Sequence, residues 1–397
     1  MRILHLGPVE LPVLHTRGGA IQRRIRELSR AQSRLGHSVK VLSADSTAST
    51  TDFFGVEIQS IPCKAQGILR TWEFLARIPR AEYSNVDCVH FHSLPEGIFL
   101  CGNRNTETLL SFDYFRFRRG KATPLQYVYK IALNRFHRLL PVSEYCQREA
   151  SAYWGLSSAK MTVLYNGVDT ARFRPDPGLG REFRRKLNLE DRPIILYVGR
   201  VCAQKGTDTL INAYKIARES IPDLSLVVVG PADRFGTEKE SDLIASARKA
   251  GVIYIPPVHE DELPAVYNMC DVFVMPTRSE EMFGMAALEA QSCGKPVICS
   301  HHGGLPEVIR PDTGLFFPPG DPSALANCIT KLFREHALRL RMGLSGQHAS
   351  ARFAWSLIAE QLDRILADSH SDAFQLFGAS FPLRERDRSA FSHRLGS

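Results

Sequence analysis

The stretch 194-IILYVGRVCAQKGTDTLINAYKIARES-220 contains a strand-sized apolar run, a loop ending in glycine and a helical pattern, in that order. A second apolar run, 224-LSLVVVG-230, follows almost at once. The first and last segments have the length and composition of buried strands, whereas the middle one carries apolar residues at helical spacing. A strand, a helix and a strand in this order are typical of a βαβ unit with parallel strands.

The same alternation extends over most of the chain. Before residue 172 the pattern predicts one helix, 20-AIQRRIRELSRAQSRLG-36, and the strands 2-RILHL-6, 38-SVKVLSA-44, 86-VDCVHFH-92, 138-RLLPVS-143 and 162-TVLYNG-167. After residue 230 it predicts a helix, 284-GMAALEAQSCG-294, and the strands 253-IYIPPV-258, 271-DVFVMP-276 and 296-PVICS-300. The sequence therefore predicts an α/β fold in which two Rossmann-like, doubly wound parallel-sheet domains face each other across a ligand-binding cleft.

Changes in composition predict the domain boundaries. We expect an N-terminal domain over 1–172, an inter-domain linker rich in Pro, Gly and charge over 173–193, and a C-terminal domain over 194–354. An amphipathic helix is expected over 355–368, and a charged tail over 369–397.

Composition excludes several classes of protein. The 397 residues are 44% hydrophobic and 23% charged, which is ordinary for a soluble globular chain and excludes a disordered or fibrous one. Apolar runs are strand-sized, so no membrane-spanning segment is expected, and the first residues resemble a buried strand more than a secretion signal. Nine scattered cysteines without a C-x-x-C pair indicate reduced, buried thiols and a cytoplasmic protein.

Positive charge is concentrated in the first half. Residues 1–175 hold 24 Lys and Arg against 14 Asp and Glu, whereas the whole chain holds 50 against 42. The stretch 112–138 mixes seven aromatic with seven basic side chains. Such a surface suits an anionic membrane, a phosphorylated ligand or nucleic acid. A core-facing aromatic set with solvated basic flanks, and a general solubility bias, are the alternatives.

Two loops carry candidate anion-binding groups. In 280-EEMFGMAALEAQSCGKPV-297, Phe283-Gly284-Met285 stands where a helix begins, and the free amides there suit a phosphate. Glu281 precedes this helix and Glu289 lies within it, so both carboxylates could accept sugar hydroxyls, although a solvated or capping role is the ordinary alternative. In 197-YVGRVCAQKG-206, Arg200 and Lys205 flank a loop at a strand end and suit a diphosphate.

Two further features are weaker. Gly18-Gly19 follows the first strand and could approach a phosphate, but it lacks the G-x-G-x-x-G pattern, so an NAD site is not indicated. His90 and His92 alternate on a strand and point to one face, either as buried core residues or with one facing a sugar. No convincing third metal ligand lies nearby in the sequence and no Asp-x-Asp follows a strand, so we expect no metal.

In order along the chain, these motifs resemble the retaining glycosyltransferases of family 4, which have the GT-B fold. The resemblance is carried by GGAIQRRIRELSRAQSRLGHSVKVLS, DCVHFHS, LPVSEYCQRE, ILYVGRVCAQKGTDTLINAY and VFVMPTRSEEMFGMAALEAQSCGKPVICSHHGGLPEVI. Two departures are Ala20, where Val or Ile is usual, and the extra histidines His301 and His302. Neither removes a charged group that the chemistry requires.

The resemblance implies a role for each matching residue. Arg200 and Lys205 match the diphosphate-binding pair, Glu289 the ribose ligand, and Gly19 the N-domain loop that touches the diphosphate. Glu281, with the backbone of Phe283, Gly284 and Met285, matches the sugar and diphosphate contacts. His92 matches the histidine near the transferred sugar. The resemblance also implies that the N-terminal domain binds the acceptor, that the C-terminal domain binds the nucleotide sugar, and that the helix over 355–368 crosses back to the N-terminal domain. Retention by same-face attack, with the departing phosphate helping to deprotonate the acceptor, is implied as well.

We therefore expect a metal-independent hexosyltransferase without a cofactor, in which a nucleotide-diphosphate sugar, UDP-linked by preference, is a co-substrate. The partner is a hydroxyl acceptor: a glycan, a lipid-linked sugar reached by peripheral membrane contact through 112–138, or a small aglycone, and not nucleic acid. A nucleotide-sugar epimerase of the same fold is an alternative, and it would form an epimer without any acceptor. A non-catalytic nucleotide-sugar-binding subunit is another, which the intact charged motifs disfavour.

Overall fold

A computed structural model describes residues 1–7, 9–14, 19–101, 106–113, 124–231 and 238–378. Two parallel sheets form two lobes, so the expected pair of α/β domains is confirmed. We call the lobe built on the first sheet the N lobe and the lobe built on the second sheet the C lobe. Among the helices of the described ranges, none combines the length and the apolarity needed to cross a bilayer.

The N lobe has a seven-stranded sheet in the order β3-β4-β2-β1-β5-β6-β7, in which only β3 is antiparallel to its neighbour. Its strands are β1 (Arg2–Leu6), β2 (Ser38–Asp45), β3 (Ser49–Asp52), β4 (Glu57–Pro62), β5 (Cys88–His92), β6 (Glu107–Phe112) and β7 (Arg138–Pro141). Its helices are α1 (Ala20–Arg34), α2 (Gly67–Arg77), α3 (Arg80–Ser84), α4 (Pro124–Arg135) and α5 (Glu144–Trp154).

The C lobe has a six-stranded parallel sheet in the order β10-β9-β8-β11-β12-β13. Its strands are β8 (Ile194–Val198), β9 (Ser225–Val229), β10 (Ile253–Ile255), β11 (Val272–Met275), β12 (Val297–Ser300) and β13 (Gly314–Phe317). The helices that follow the N lobe are α6 (Pro177–Lys186), α7 (Thr207–Ser220), α8 (Glu238–Lys249), α9 (Leu263–Met269), α10 (Met285–Ser292), α11 (Leu305–Val308), α12 (Pro322–Arg334), α13 (His336–Ser350) and α14 (Trp355–Gly378).

Three segments differ from the expectation. The predicted strand 162–167 is wrong, because this segment forms no strand of the sheet. Its contact with β7 is limited to two amides, those of Thr162 and Leu164, which donate to the carbonyls of Leu139 and Pro141. The Leu164 side chain packs under α14. The segment predicted as linker contains α6, which Asp176 caps through the Leu179 amide and which packs on α9. The last helix continues to Gly378, ten residues beyond its expected end, and 379–397 lie outside the described residues.

The final helix ties the two ends of the chain together. Trp355, Ile358 and Leu362 of α14 are buried in one cluster with Ile3 of β1 and Leu28 of α1. The N lobe therefore keeps the last long helix as part of its own core, although that helix follows the C lobe in sequence. The nine cysteines are all free, and seven of them are buried.

Candidate functional site

The first feature of the cleft is an ion pair between the two predicted loops. Nζ of Lys205 donates to a carboxylate oxygen of Glu281 at 2.6 Å, and each side chain is about one-fifth exposed. Lys205 follows β8 and Glu281 follows β11, and these two strands are neighbours in the sheet. The pair therefore lies at the carboxyl ends of the central strands, where open α/β sheets bind their ligands.

Tight loop packing holds Lys205 in place. It ends a single 3-10 turn, Ala203–Lys205, which Gly206 closes at φ +71°. A Cβ on Gly206 would lie 1.8 Å from the Pro276 carbonyl oxygen, so only glycine fits there. The Gln204 carbonyl accepts the amides of Arg278 and Ser279, which joins this loop to the one that leads to Glu281.

Helix α10 begins at Met285, directly after the second loop, and Gly284 is its N-cap residue. Gly284 has φ +99°, and a Cβ there would lie 2.6 Å from Leu305 Cδ2. The helix has no side-chain cap and no acidic residue in its first turn, so its positive end is not neutralised locally. The Phe283 ring is buried against Tyr165 and Phe353, which leaves the backbone of 283–285 as the part that can serve a ligand.

Glu289 lies inside α10 with both carboxylate oxygens engaged. One accepts from Arg23 of α1, across the cleft, and the other accepts from the Tyr267 hydroxyl at 2.7 Å. Glu289 is 3% exposed. A ribose hydroxyl can reach this carboxylate only if Arg23 moves, so the predicted ribose role requires an exchange of partners.

The other two predicted donor residues lie on different lobes, Arg200 on the C lobe and Gly19 on the N lobe. Arg200 follows β8 and is exposed, and its carbonyl accepts the Tyr197 hydroxyl at 2.6 Å. Gly19 immediately precedes α1, and its carbonyl accepts the amide of Arg23 at 3.0 Å. Because Arg23 contacts Glu289, the start of α1 and the middle of α10 face each other. Gly18 lies outside the described residues.

His92 ends β5 and belongs to a buried cluster of three imidazoles. His5 of β1 lies opposite His90 in the sheet register, and its Nδ1 is 2.9 Å from Nε2 of His92. The expectation that no third ligand lies near His90 and His92 is therefore wrong, since one nitrogen of each ring lies within 4.8 Å of the others. The sequence does not reveal this proximity, because His5 precedes His90 by 85 residues.

Two features of this cluster oppose a cation. His5 and His92 already share a hydrogen bond, and the positive charge of buried Arg24 acts on all three rings. Arg24 itself is held by the Leu164 carbonyl, by Asn166 and by Ser111, whose hydroxyl also lies 2.7 Å from Nε2 of His90. These contacts suit a network of neutral histidines better than a metal centre.

Burial gives the cluster a defined pH response. It lowers the pKa of His5 to about 4 and lowers the pKa of His90 and His92 well below the ordinary value near 6.5. In the unfolded chain all three would take up protons near pH 6.5. The three histidines therefore do not reduce the free energy of unfolding above pH 6.5. As the pH falls from 6.5 toward 4, the free energy of unfolding decreases, because the unfolded state binds more protons than the folded state.

We expect each histidine to contribute about 1.4 kcal/mol per pH unit to this loss between pH 6.5 and 5. Denaturant titration at half-unit pH steps measures the slope. A His90→Gln variant has one buried imidazole fewer. The slope of its unfolding free energy against pH should therefore be smaller by about 1.4 kcal/mol per pH unit, which corresponds to one proton. Equal slopes for the variant and the wild type would show that the cluster is protonated or solvated in the folded protein.

Two residues of the cleft escaped the sequence reasoning. Asp113 directly follows β6, and the hydroxyl of Ser93 donates to its carboxylate at 3.1 Å. Burial raises the pKa of Asp113, and the negative charge of Glu281 raises it further, so these two carboxylates are close enough to interact. Ser93 follows His92 with φ +52°, which is rare for a non-glycine residue. The strand-end position of Asp113 was the available signal.

Further contacts hold the lobes together on either side of the cleft. The Glu307 carboxylate of the C lobe accepts the amides of Glu144 and Tyr145, both at 2.7 Å, and so caps α5 of the N lobe. Arg26 of α1 donates to Glu260 at 2.5 Å. The structure therefore has its lobes in contact around the loops that carry the site.

Two family models match nearly the whole of this architecture. Residues 18–172 match "Glycosyltransferase Family 4", and residues 180–349 match "Glycosyl transferases group 1". The chain belongs to the family 4 glycosyltransferases. The GT-B fold implied by the sequence motifs is confirmed.

Curated relatives of this family 4 glycosyltransferase align with it over part of its length. A GDP-mannose-dependent alpha-(1-6)-phosphatidylinositol monomannoside mannosyltransferase of Mycolicibacterium smegmatis is 33% identical over 57% of this chain and 61% of its own. A D-inositol 3-phosphate glycosyltransferase of Salinispora arenicola is 33% identical over 49% of this chain and 47% of its own. The matched region thus spans about half to three-fifths of these relatives.

Several solved structures resemble this family 4 glycosyltransferase over nearly its full length. Sucrose-phosphate synthase from Thermosynechococcus elongatus superposes with a TM-score of 0.76 at 24% identity, over 96% of this chain and all of its own. Anabaena HepE in complex with UDP and glucose gives a TM-score of 0.74 at 19% identity, over 92% and 99%. At these identities the likeness establishes the fold.

Proposed function

We propose that the protein is a retaining, metal-independent glycosyltransferase that moves a hexose from a nucleotide-diphosphate donor to a hydroxyl acceptor. The observation that carries this is the Lys205–Glu281 pair beside the uncapped start of α10, in a chain of this family. A cation, a carboxylate and free helix amides together match the diphosphate and the sugar of such a donor.

Donor binding would replace the Lys205–Glu281 pair by contacts of the same kind. A diphosphate offers Lys205 a stronger anion, while the sugar hydroxyls offer Glu281 its hydrogen bonds. Arg200, exposed on the same loop, and the amides of 283–285 would complete the diphosphate site. Because the charged groups of the empty site already neutralise each other, the folded protein can hold them ready without a bound ion.

The transfer step then needs little covalent chemistry from the protein. The bond between the anomeric carbon and the diphosphate oxygen breaks, and the acceptor oxygen bonds to the same face of that carbon. The acceptor proton passes to the departing phosphate oxygen. Lys205, Arg200 and the start of α10 stabilise the negative charge that develops there, while lobe contact excludes water that would hydrolyse the donor.

The donor is the first point to test. UDP is the nucleotide expected from the family resemblance, and the HepE structure holds UDP, but the mannosyltransferase relative is named for GDP-mannose. We propose GDP-mannose as the first donor to test, with UDP-glucose as its comparison. A ligand present at a hundred times its Kd stabilises the fold by about 2.7 kcal/mol, so a thermal-shift screen of GDP, UDP and their sugars identifies the base. If none of them raises the unfolding temperature, the proposed donor site is wrong.

The N lobe presents a surface suited to a lipid-linked acceptor. Helix α2 exposes Leu69 and Trp72, and α4 exposes Tyr127 and Ile131, beside the exposed cation of Lys130. Of the aromatic residues in 112–138, Phe112, Tyr129 and Phe136 belong to the core, and 114–123 lie outside the described residues. Exposed apolar side chains among cations favour an anionic bilayer. We therefore propose peripheral membrane contact through the exposed residues of α2 and α4.

Replacing Leu69 and Trp72 together by serine should weaken vesicle binding about tenfold or more, since each side chain loses its burial in the bilayer interface. Sedimentation with vesicles of 30% phosphatidylglycerol in phosphatidylcholine, at moderate salt, measures it. Leu340 and Leu344 of α13 are about equally exposed on the C lobe, so their replacement by serine is the matched control. Equal loss in both double variants, or no binding by the wild type, would reject the membrane surface.

A further inference from the structure

A chain of hydrogen bonds connects helix α1 to His92 through the interior of the N lobe. Oε1 of Gln32, on α1, lies 2.8 Å from Nε2 of His5. Nδ1 of His5 lies 2.9 Å from Nε2 of His92. Gln32 and His5 are fully buried and His92 is 1% exposed, so water does not compete with these contacts.

The order of donors along this series of hydrogen bonds fixes the tautomers of His5 and His92. A carbonyl oxygen only accepts, so Nε2 of His5 carries the proton that the Gln32 contact requires. A neutral imidazole has one N–H, and Nδ1 of His5 is therefore a bare acceptor. Nε2 of His92 must then donate to it, which leaves Nδ1 of His92 without a proton.

The bare nitrogen of His92 has no hydrogen-bond partner within the described part of the chain. Nδ1 of His90 and Nε2 of Gln32 are unpaired there as well, and all three atoms are closed to solvent. Of the three residues, His92 is the one that ends a strand beside the residues of the site. Because buried polar atoms are nearly always paired, this acceptor suits a donor group that a ligand supplies.

We propose that Gln32 and His5 are positioning residues that hold His92 as the Nε2–H tautomer, so that its Nδ1 accepts a hydrogen bond from a substrate hydroxyl. This rests on the proposed function, in which the hydroxyl belongs to the transferred sugar. Gln32 and His5 touch no substrate and act only through the imidazole of His92. The neutral state is maintained by burial and by the positive charge of Arg24.

Nitrogen-15 spectroscopy of labelled histidine tests the tautomer directly. In the wild type at pH 7, we expect His5 and His92 each to show a protonated Nε2 and a bare Nδ1, assigned with His90→Gln and His92→Gln variants. Gln32→Met keeps the size of the side chain but removes the acceptor. The His92 signals of that variant should move toward a mixture of tautomers. A protonated Nδ1 on His92 in the wild type would overturn the proposal whether or not the protein is active.

Kinetics separate positioning from a purely structural role. Loss of one oriented hydrogen bond should lower kcat/KM of Gln32→Met about fivefold to tenfold. A donor lacking the relevant hydroxyl should be a poorer substrate than the full donor for the wild type, and this difference should be smaller for Gln32→Met. Ser29→Ala is the control, because Ser29 is buried on the same helix and its hydroxyl donates to the Arg26 carbonyl and not to the histidines. It should leave the kinetics and the histidine spectra unchanged.

The outcomes are distinguishable. Altered spectra with unchanged kinetics in Gln32→Met would remove the positioning role. Unchanged spectra in Gln32→Met would remove the relay itself. A wild type that neither binds nor turns over any nucleotide sugar would overturn the proposed function, and the spectra would still decide the tautomer of His92.

Discussion

Replacing Lys205 by alanine is expected to lower kcat/KM for sugar transfer by about 10²-fold or more. The ammonium group lies 2.6 Å from Glu281 at the carboxyl end of the central strands, where the proposed diphosphate binds. Without it the leaving-group charge loses a fixed counter-ion, and Glu281 becomes an unpaired carboxylate that repels the incoming donor. Nucleotide release from the donor in the presence of an acceptor measures the effect.

Two variants make this result specific. Lys205→Arg keeps the charge but not the compact ammonium geometry, so it should retain part of the activity. Lys215→Ala removes an exposed cation of α7, away from the cleft, and should behave as the wild type. The site assignment fails if Lys205→Ala is folded and transfers sugar within about threefold of the wild-type rate.

The fold was readable from sequence where strands are apolar on both faces. Strand β1 is observed at its predicted bounds, and β8 within one residue of them, because parallel strands covered on both sides need continuous apolar runs. Strand β3 is exposed throughout and reads Ser-Thr-Thr-Asp, so no hydrophobic pattern marks it. The segment 162–167 has the apolar residues of a strand, but only Thr162 and Leu164 bond to the edge strand β7, and the Leu164 side chain is buried against α14.

Helix α6 illustrates a local signal that composition concealed. Its segment is rich in proline, glycine and charge, which favours a linker. Asp176 followed by Pro177 is nevertheless a strong helix start, since aspartate caps the amides and proline suits the first turn. The capping signal outweighs the composition because Phe183 is buried in the hydrophobic core.

The sequence predicts those parts of the cleft that come from one short segment, but not the contacts between segments far apart in the chain. The spacing of Glu281, Gly284 and Glu289 is a local pattern, so it could be read directly from the chain. The contact between Arg23 and Glu289 joins residues 266 positions apart, and that between His5 and His92 joins residues 87 apart. Such pairs depend on how the elements pack, which a single sequence does not specify. They are also the contacts that change what the local motifs can do.

Glu289→Gln should have the second large effect, on stability and on nucleotide affinity together. The substitution leaves the Arg23 guanidinium, whose side chain is only 16% exposed, without the counter-charge of Glu289, which costs about 3 kcal/mol. At roughly 2 °C per kcal/mol, the unfolding midpoint should fall by about 6 °C. If Glu289 also accepts the ribose hydroxyls, loss of its charge should weaken nucleotide-diphosphate binding about tenfold or more.

Arg23→Met separates the two roles of this carboxylate. Removing Arg23 frees one oxygen of Glu289 while the Tyr267 hydroxyl still bonds the other, so the ribose no longer has to displace a cation. We expect this variant to be less stable than the wild type but to bind the nucleotide diphosphate severalfold more tightly, as measured by calorimetry. The double variant should recover part of the stability lost by Glu289→Gln, because no buried guanidinium is left unpaired. If both single variants weaken binding by the same factor, Glu289 serves only to hold the two lobes together and the ribose binds elsewhere.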